Sequence, residues 1–144
     1  MSQYATANLL HRDADSTLSH AIAPFFGRIL LSAIFLLAGA SKLASPSATM
    51  GYISAVGLPF PALGLAVALV VEIGGGLALV AGYRTRLVAA ILAVFSVATA
   101  LAFHRNLADQ DMFIHFFKNI AITGGLLQVM AFGAGRLSLD ASRA

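Results

Sequence analysis

Residues 62–83 read ALGLAVALVVEIGGGLALVAGY, and this stretch decides the fold. It is apolar throughout apart from Glu72. As a helix rising about 1.5 Å per residue it is long enough to cross a hydrocarbon layer about 30 Å thick. A surface helix of a soluble protein would carry a polar face, and none is written here. A backbone placed in lipid must satisfy its own hydrogen bonds, so the stretch predicts a transmembrane helix.

Working outward, three further segments have the same character: residues 25–43, 87–103 and 116–132. Across all 144 residues, 59% are hydrophobic and only 10% charged, and the mean hydropathy is +0.87. A soluble domain carries roughly a quarter charged residues. A water-soluble monomer of this size could not hide so much apolar surface. The composition excludes an ordinary cytosolic enzyme and a disordered chain. The expected fold class is all-α, a four-helix transmembrane bundle in contact with the lipid bilayer.

The net charge of +3 would raise nucleic acid as a partner in a soluble protein. Here the basic residues stand singly or in pairs at the ends of apolar runs, which suits membrane orientation and not a phosphate-binding surface. Arg12, Arg28, Arg84, Arg86, Arg136 and Arg143 fall on one side of the four spans, and Lys42, Arg105 and Lys118 on the other. The positive-inside rule then puts both termini in the cytoplasm. Residues 1–21, with His11, Arg12, Asp13, Asp15 and His20, are too polar for a cleavable leader and read as a cytoplasmic N-terminal tail whose first half is mobile. Residues 22–140 form the membrane domain and 141–144 a short C-terminal tail. The connection 44–61 holds Pro46, Gly51, Gly57, Pro59 and Pro61 with Tyr52 and Phe60, and predicts a structured or re-entrant loop.

Helical spacing gives each span one small or polar stripe. The stripes are Arg28, Ser32, Phe35, Gly39 and Lys42; Gly64, Ala68, Glu72 and Gly76; Ala89, Ala93, Ser96, Ala100 and His104; and Lys118, Ala121, Gly125 and Gln128. Small residues at such spacing let helices approach closely, and the remaining Leu, Ile, Val and Phe suit lipid. Glu72 lies near the middle of its span, where an ionised carboxylate is expensive. It has two readings: an ion pair with Lys118 or Arg28, or a proton or ligand site. Arg28 and Lys42, near opposite ends of one helix, read first as snorkelling anchors. The Gly74–Gly76 run admits a close backbone or a flat ligand. His104 reads as a proton-exchanging group near the membrane surface.

Several chemistries are excluded. The chain has no cysteine, so it makes no disulfide, thiolate zinc site or iron–sulfur cluster. It has no phosphate-binding glycine loop, no HExxH and no Ser/His/Asp constellation. The histidine positions suggest no haem ligation, and the spacing of His104, Asp109, Asp111 and His115 gives no metal-ligand pattern.

The order of Gly27-Arg28, Leu37-Ala38-Gly39-Ala40-Ser41-Lys42-Leu43, Glu72-Ile73-Gly74-Gly75-Gly76-Leu77-Ala78, Gly82-Tyr83-Arg84-Thr85-Arg86, Phe103-His104, Lys118-Asn119 and Ser138-Leu139-Asp140 resembles the DoxX family of small bacterial inner-membrane proteins, in its YqjF-like branch. The likeness covers about residues 25–140. It implies a multi-pass protein of the cytoplasmic membrane, recurrent polar positions at Arg28, Lys42, Glu72, Arg86, His104, Lys118 and Asp140, and a link to thiosulfate:quinone and other quinone-dependent oxidoreductases. The functional expectation is therefore a quinone-linked accessory subunit with Arg28, Glu72, Gly75, His104 and Lys118 around the cofactor, and electrons supplied by a partner protein. The alternative is a non-enzymatic scaffold, or a module that binds or exports a lipophilic small molecule. Small-residue faces also permit a homodimer.

Overall fold

A computed structural model describes the backbone of residues 2–143 and the side chains of residues 21–143. All regular structure among the described residues is helical. The order is α1 (Ser2–Ala44), α2 (Pro46–Ala55), α3 (Pro61–Leu69), a π turn (Val70–Gly74), α4 (Gly75–Ala81), α5 (Thr85–Phe103), α6 (Gln110–Phe132) and a final 3-10 turn, Ala141–Arg143. Four stretches among the described residues are long and apolar enough to cross a membrane: Ala21–Ala44, Pro61–Ala81, Thr85–Phe103 and Gln110–Phe132. α1 runs without a break across the expected tail boundary at residue 21. The charged and histidine side chains expected in that tail lie outside the described side chains.

Each boundary has a local cause. Pro46 and Pro61 open α2 and α3 in the first helical turn, where a missing N–H costs nothing. Gly82 ends α4 in the left-handed region at φ +67. Asp109 caps α6 by accepting from Met112 N at 2.9 Å. The π turn interrupts the second span just before and within its glycine run, where few side chains support a regular helix.

The core is a layer of Phe35, Leu79, Ala89, Leu92, Ala93 and Leu126, with Leu31, Val71, Phe95 and Ile122 packed on it. Three of the four expected stripes face inward. Arg28, Ser32, Phe35 and Gly39 are buried on α1, and Ala89, Ala93, Ser96 and Ala100 on α5. Gly64, Ala68 and Glu72 line a common cavity. The stripe on α6 is corrected: Lys118, Ala121 and Gln128 are exposed, while Leu126 is fully buried and Ile122 packs beside it. Apolar burial, and not the small residues, sets the rotation of this helix. Large apolar residues including Leu30, Leu37, Val70, Val94 and Phe132 point outward, as a lipid-facing surface requires.

Candidate functional site

The two ends of the bundle are built differently. At one end, between the C-terminal part of α1, α2, α3, the π turn, α5 and the start of α6, lies a cavity of about 740 Å³. Its walls are mostly apolar, with Phe35, Ile53, Leu58, Phe95 and Ile122 among them. The short helix α2 supplies Ala48, Thr49, Tyr52 and Ile53 to this wall. Tyr52 is fixed against α5: its ring stacks on Phe103 at 5.3 Å and its hydroxyl donates to the Phe103 carbonyl at 3.4 Å.

Polar groups enter the cavity in two clusters. In the first, Lys42 Nζ donates to both oxygens of Glu72, at 2.7 and 2.9 Å. Glu72 is 4% exposed, and the π turn carries it. The pairing corrects two expectations from sequence. The partner of Glu72 is neither Lys118 nor Arg28, and Lys42 is not a free snorkelling anchor. Lys42 stands in the last turn of α1, and Gly39 one turn earlier lets Ile73 and Glu72 pack close against that helix.

The second cluster holds His104, His115 and Lys118. The two imidazoles stack at 5.1 Å. Lys118 Nζ lies 2.9 Å from His115 Nδ1. His104 Nδ1 is buried without a hydrogen-bond partner among the described residues, as is the hydroxyl of Ser96, which also lines the cavity. Burial holds the His104 pKa below its ordinary value of 6.5, and the nearby His115 and Lys118 push it the same way. Arg28 Nε, Ser32 Oγ and Thr85 Oγ1 are buried without partners among the described residues as well, so such atoms are spread through the bundle and are not particular to the cavity wall.

Of the residues singled out from sequence, Glu72, His104 and Lys118 are brought to this cavity. Gly75 and Arg28 are not. A side chain at Gly75 would meet Leu92 at 3.0 Å and one at Gly76 would meet Leu36, so leucines of α5 and α1 fill the space at these two glycines, while Gly74 is exposed and a side chain there would meet nothing within 4 Å among the described residues.

Arg28 sits at the other end, 1% exposed. Its guanidinium donates to the carbonyl of Leu79, at 3.3 Å, and to that of Leu137. It therefore ties α1 to the end of α4 and to the chain following α6. Carbonyls at a helix C-terminus attract a cation, which explains a buried guanidinium with no carboxylate bonded to it. The same end is closed by a clasp. Leu139 N and Asp140 N donate to the carbonyls of Ala81 and Gly82, and the Asp140 carboxylate accepts from Arg84 N and Thr85 N, both at 2.8 Å. Desolvation alone would raise the Asp140 pKa, but the hydrogen bonds from Thr85 and Arg84 hold it below its ordinary value of 3.8.

Comparison with known proteins agrees with these features. Residues 23–105 match the DoxX family. The chain is 39% identical over 113 residues to the inner membrane protein YqjF of Escherichia coli K12, covering 78% of this chain and 85% of that protein. It is 30% identical over 119 residues to the inner membrane protein YphA of the same strain, covering 78% and 84%. No solved structure matches. The chain belongs to the DoxX family and is a multi-pass protein of the inner membrane.

Proposed function

We propose that this protein is a quinone-linked accessory subunit of a membrane oxidoreductase, with the quinone head held in the cavity beside Glu72. The observation that carries the reading is an apolar-walled space of about 740 Å³ whose lining includes Glu72, Lys42, Ser96, His104 and Lys118. Small-molecule sites have this build, mostly apolar with a few polar groups that fix orientation. The residues suit the group: Lys42, His104 and Lys118 on the wall carry polar side chains that can bond its oxygens, and Phe35, Phe95 and Ile53 offer apolar contact.

A bound quinone supplies reversible electron and proton uptake. The chain's own part is to seat it and to exchange protons. Lys42 and Glu72 form a hydrogen-bonded donor and acceptor pair within the membrane. His104 is held neutral near physiological pH and so can take up a proton without first losing one. His115 and Lys118 extend this cluster to the exposed side of α6. Electrons come from a partner protein, in keeping with the absence of cofactor motifs in the sequence. On the same reading both termini are cytoplasmic and the cavity lies in the outer half of the bundle.

The test is extraction in mild detergent followed by solvent extraction and chromatography of bound lipids. Stoichiometric quinone in the native protein, lost in Glu72→Gln together with membrane quinone reduction, is the expected result. No quinone, with unchanged redox activity in Glu72→Gln, overturns the reading. A stoichiometric apolar molecule that is not redox-active would instead establish the module as a non-enzymatic binder, a reading that the same cavity supports.

A further inference from the structure

The clasp end carries a second concavity that the proposed quinone site does not use. Its volume is about 580 Å³, and Arg84, Arg86, Leu87, Phe132 and Asp140 are among the residues that line it. Both arginines are exposed. Among the described residues the one ion pair is Lys42 with Glu72, at the opposite end, so neither guanidinium has a carboxylate within 4.0 Å. The nearby acid, Asp140, is turned to the backbone N–H groups of Arg84 and Thr85. Arg136 and Arg143 add two more positive charges close by in the chain.

Two further observations give this charge a purpose. Arg84 holds φ +43, a left-handed conformation that glycine adopts freely and arginine does not. The clasp from Asp140 keeps it there. Strain maintained at one residue by its surroundings is a mark of function. In addition, Leu87 and Phe132 are 55% and 80% exposed on the same concavity. They stand in the first turn of α5 and at the end of α6, where two spans leave the hydrocarbon. Guanidinium forks thus lie next to open apolar side chains at interfacial depth.

We propose that this concavity binds an anionic phospholipid, with its phosphate diester on Arg84 and Arg86 and an acyl chain against Leu87 and Phe132. Arginine matches phosphate oxygens in bidentate fashion. A zwitterionic lipid would bring its own cation beside Arg84 and Arg86, so a net negative head is selected.

The experiment is native mass spectrometry of the full chain in mild detergent with equal amounts of phosphatidylglycerol and phosphatidylcholine of the same acyl composition. Phosphatidylglycerol adducts are expected to persist at voltages that strip phosphatidylcholine. Arg84→Gln/Arg86→Gln should weaken phosphatidylglycerol retention about 25-fold, at about 5-fold per cation near an anionic headgroup. Arg105→Gln, beyond the other end of α5, should leave it unchanged. Equal retention of the two lipids, or retention unaltered in the double variant, overturns the proposal. Should that variant fail to fold, two readings on the native protein decide it. Raised salt must release phosphatidylglycerol, and no release overturns the proposal. Glycerol 3-phosphate must fail to displace the lipid, and displacement overturns it in favour of a free-anion site.

Discussion

The two ends of this bundle use charge in opposite ways. At the clasp end, Arg28 and Asp140 are spent on the backbone: one binds carbonyls of Leu79 and Leu137, the other amides of Arg84 and Thr85. At the cavity end, Lys42 and Glu72 bind each other. Charge that satisfies main chain closes a structure, because it ties together segments remote in sequence. Charge held by another side chain around a void remains available to a guest. A membrane protein of this size therefore divides its few polar residues between closing the fold and furnishing a site.

If that division is right, the clasp end fails first. Arg28→Leu removes a buried guanidinium from two carbonyls and should cost about 3 kcal/mol, since hydrogen bonds to a charged group contribute about 1.5–3 kcal/mol each. Thermal unfolding in detergent measures it, and a loss no larger than that of Glu72→Gln would erase the contrast. Gly82→Ala comes next. Its φ of +67 disfavours any side chain, and a Cβ there would collide with the Arg28 guanidinium and with Ser138. The expected cost is about 2 kcal/mol.

The cavity end should respond less, and in a way that depends on the partner. Lys42→Met leaves Glu72 unpaired and should destabilise by about 1 kcal/mol more than Lys42→Met/Glu72→Leu, in which both charges are gone. A single variant as stable as the double would mean that the pair is not coupled in the folded protein.

Acid gives the smallest and most selective effect. With its folded pKa depressed, His104 takes a proton more readily in the unfolded chain, so stability falls as pH drops below about 6.5. Asp140, also depressed, contributes stability above about 3.8 that is lost only as pH falls through and below that value. His104→Gln should flatten the first limb of a stability–pH curve, and Asp140→Asn the second. A single shared limb would show that the two ends do not titrate independently.

The spans, the helical class and the faces of α1 and α5 are legible from residue spacing, because burial in lipid leaves hydropathy and small-residue period as the dominant signals. Glu72, His104 and Lys118 are legible for a related reason, since polar groups at membrane depth are few. The identity of Glu72's partner is not. Spacing along one helix tells which residues share a face, but not which level of a neighbouring helix comes opposite. Arg28 and Lys42 lie on one stripe, and only the packing of α1 on the second span assigns Lys42 to the acid. Gly75 misleads because a glycine run signals close approach without saying what approaches. The contribution of α2 is half legible: proline and glycine announce a structured loop, while the stacking of Tyr52 on Phe103 depends on contacts remote in sequence.

The wide turn Val70–Gly74 has one more consequence. An α-helix advances by about 100° per residue, so an extra residue accommodated in one turn rotates everything beyond it by roughly that angle. The phase slip lets Gly64, Ala68 and Glu72 look into the cavity while Leu79 still reaches the core. No point substitution can remove such an offset. Deleting one residue from the glycine run would straighten the helix at the expense of its register, swinging either the acid or the leucine layer out towards lipid.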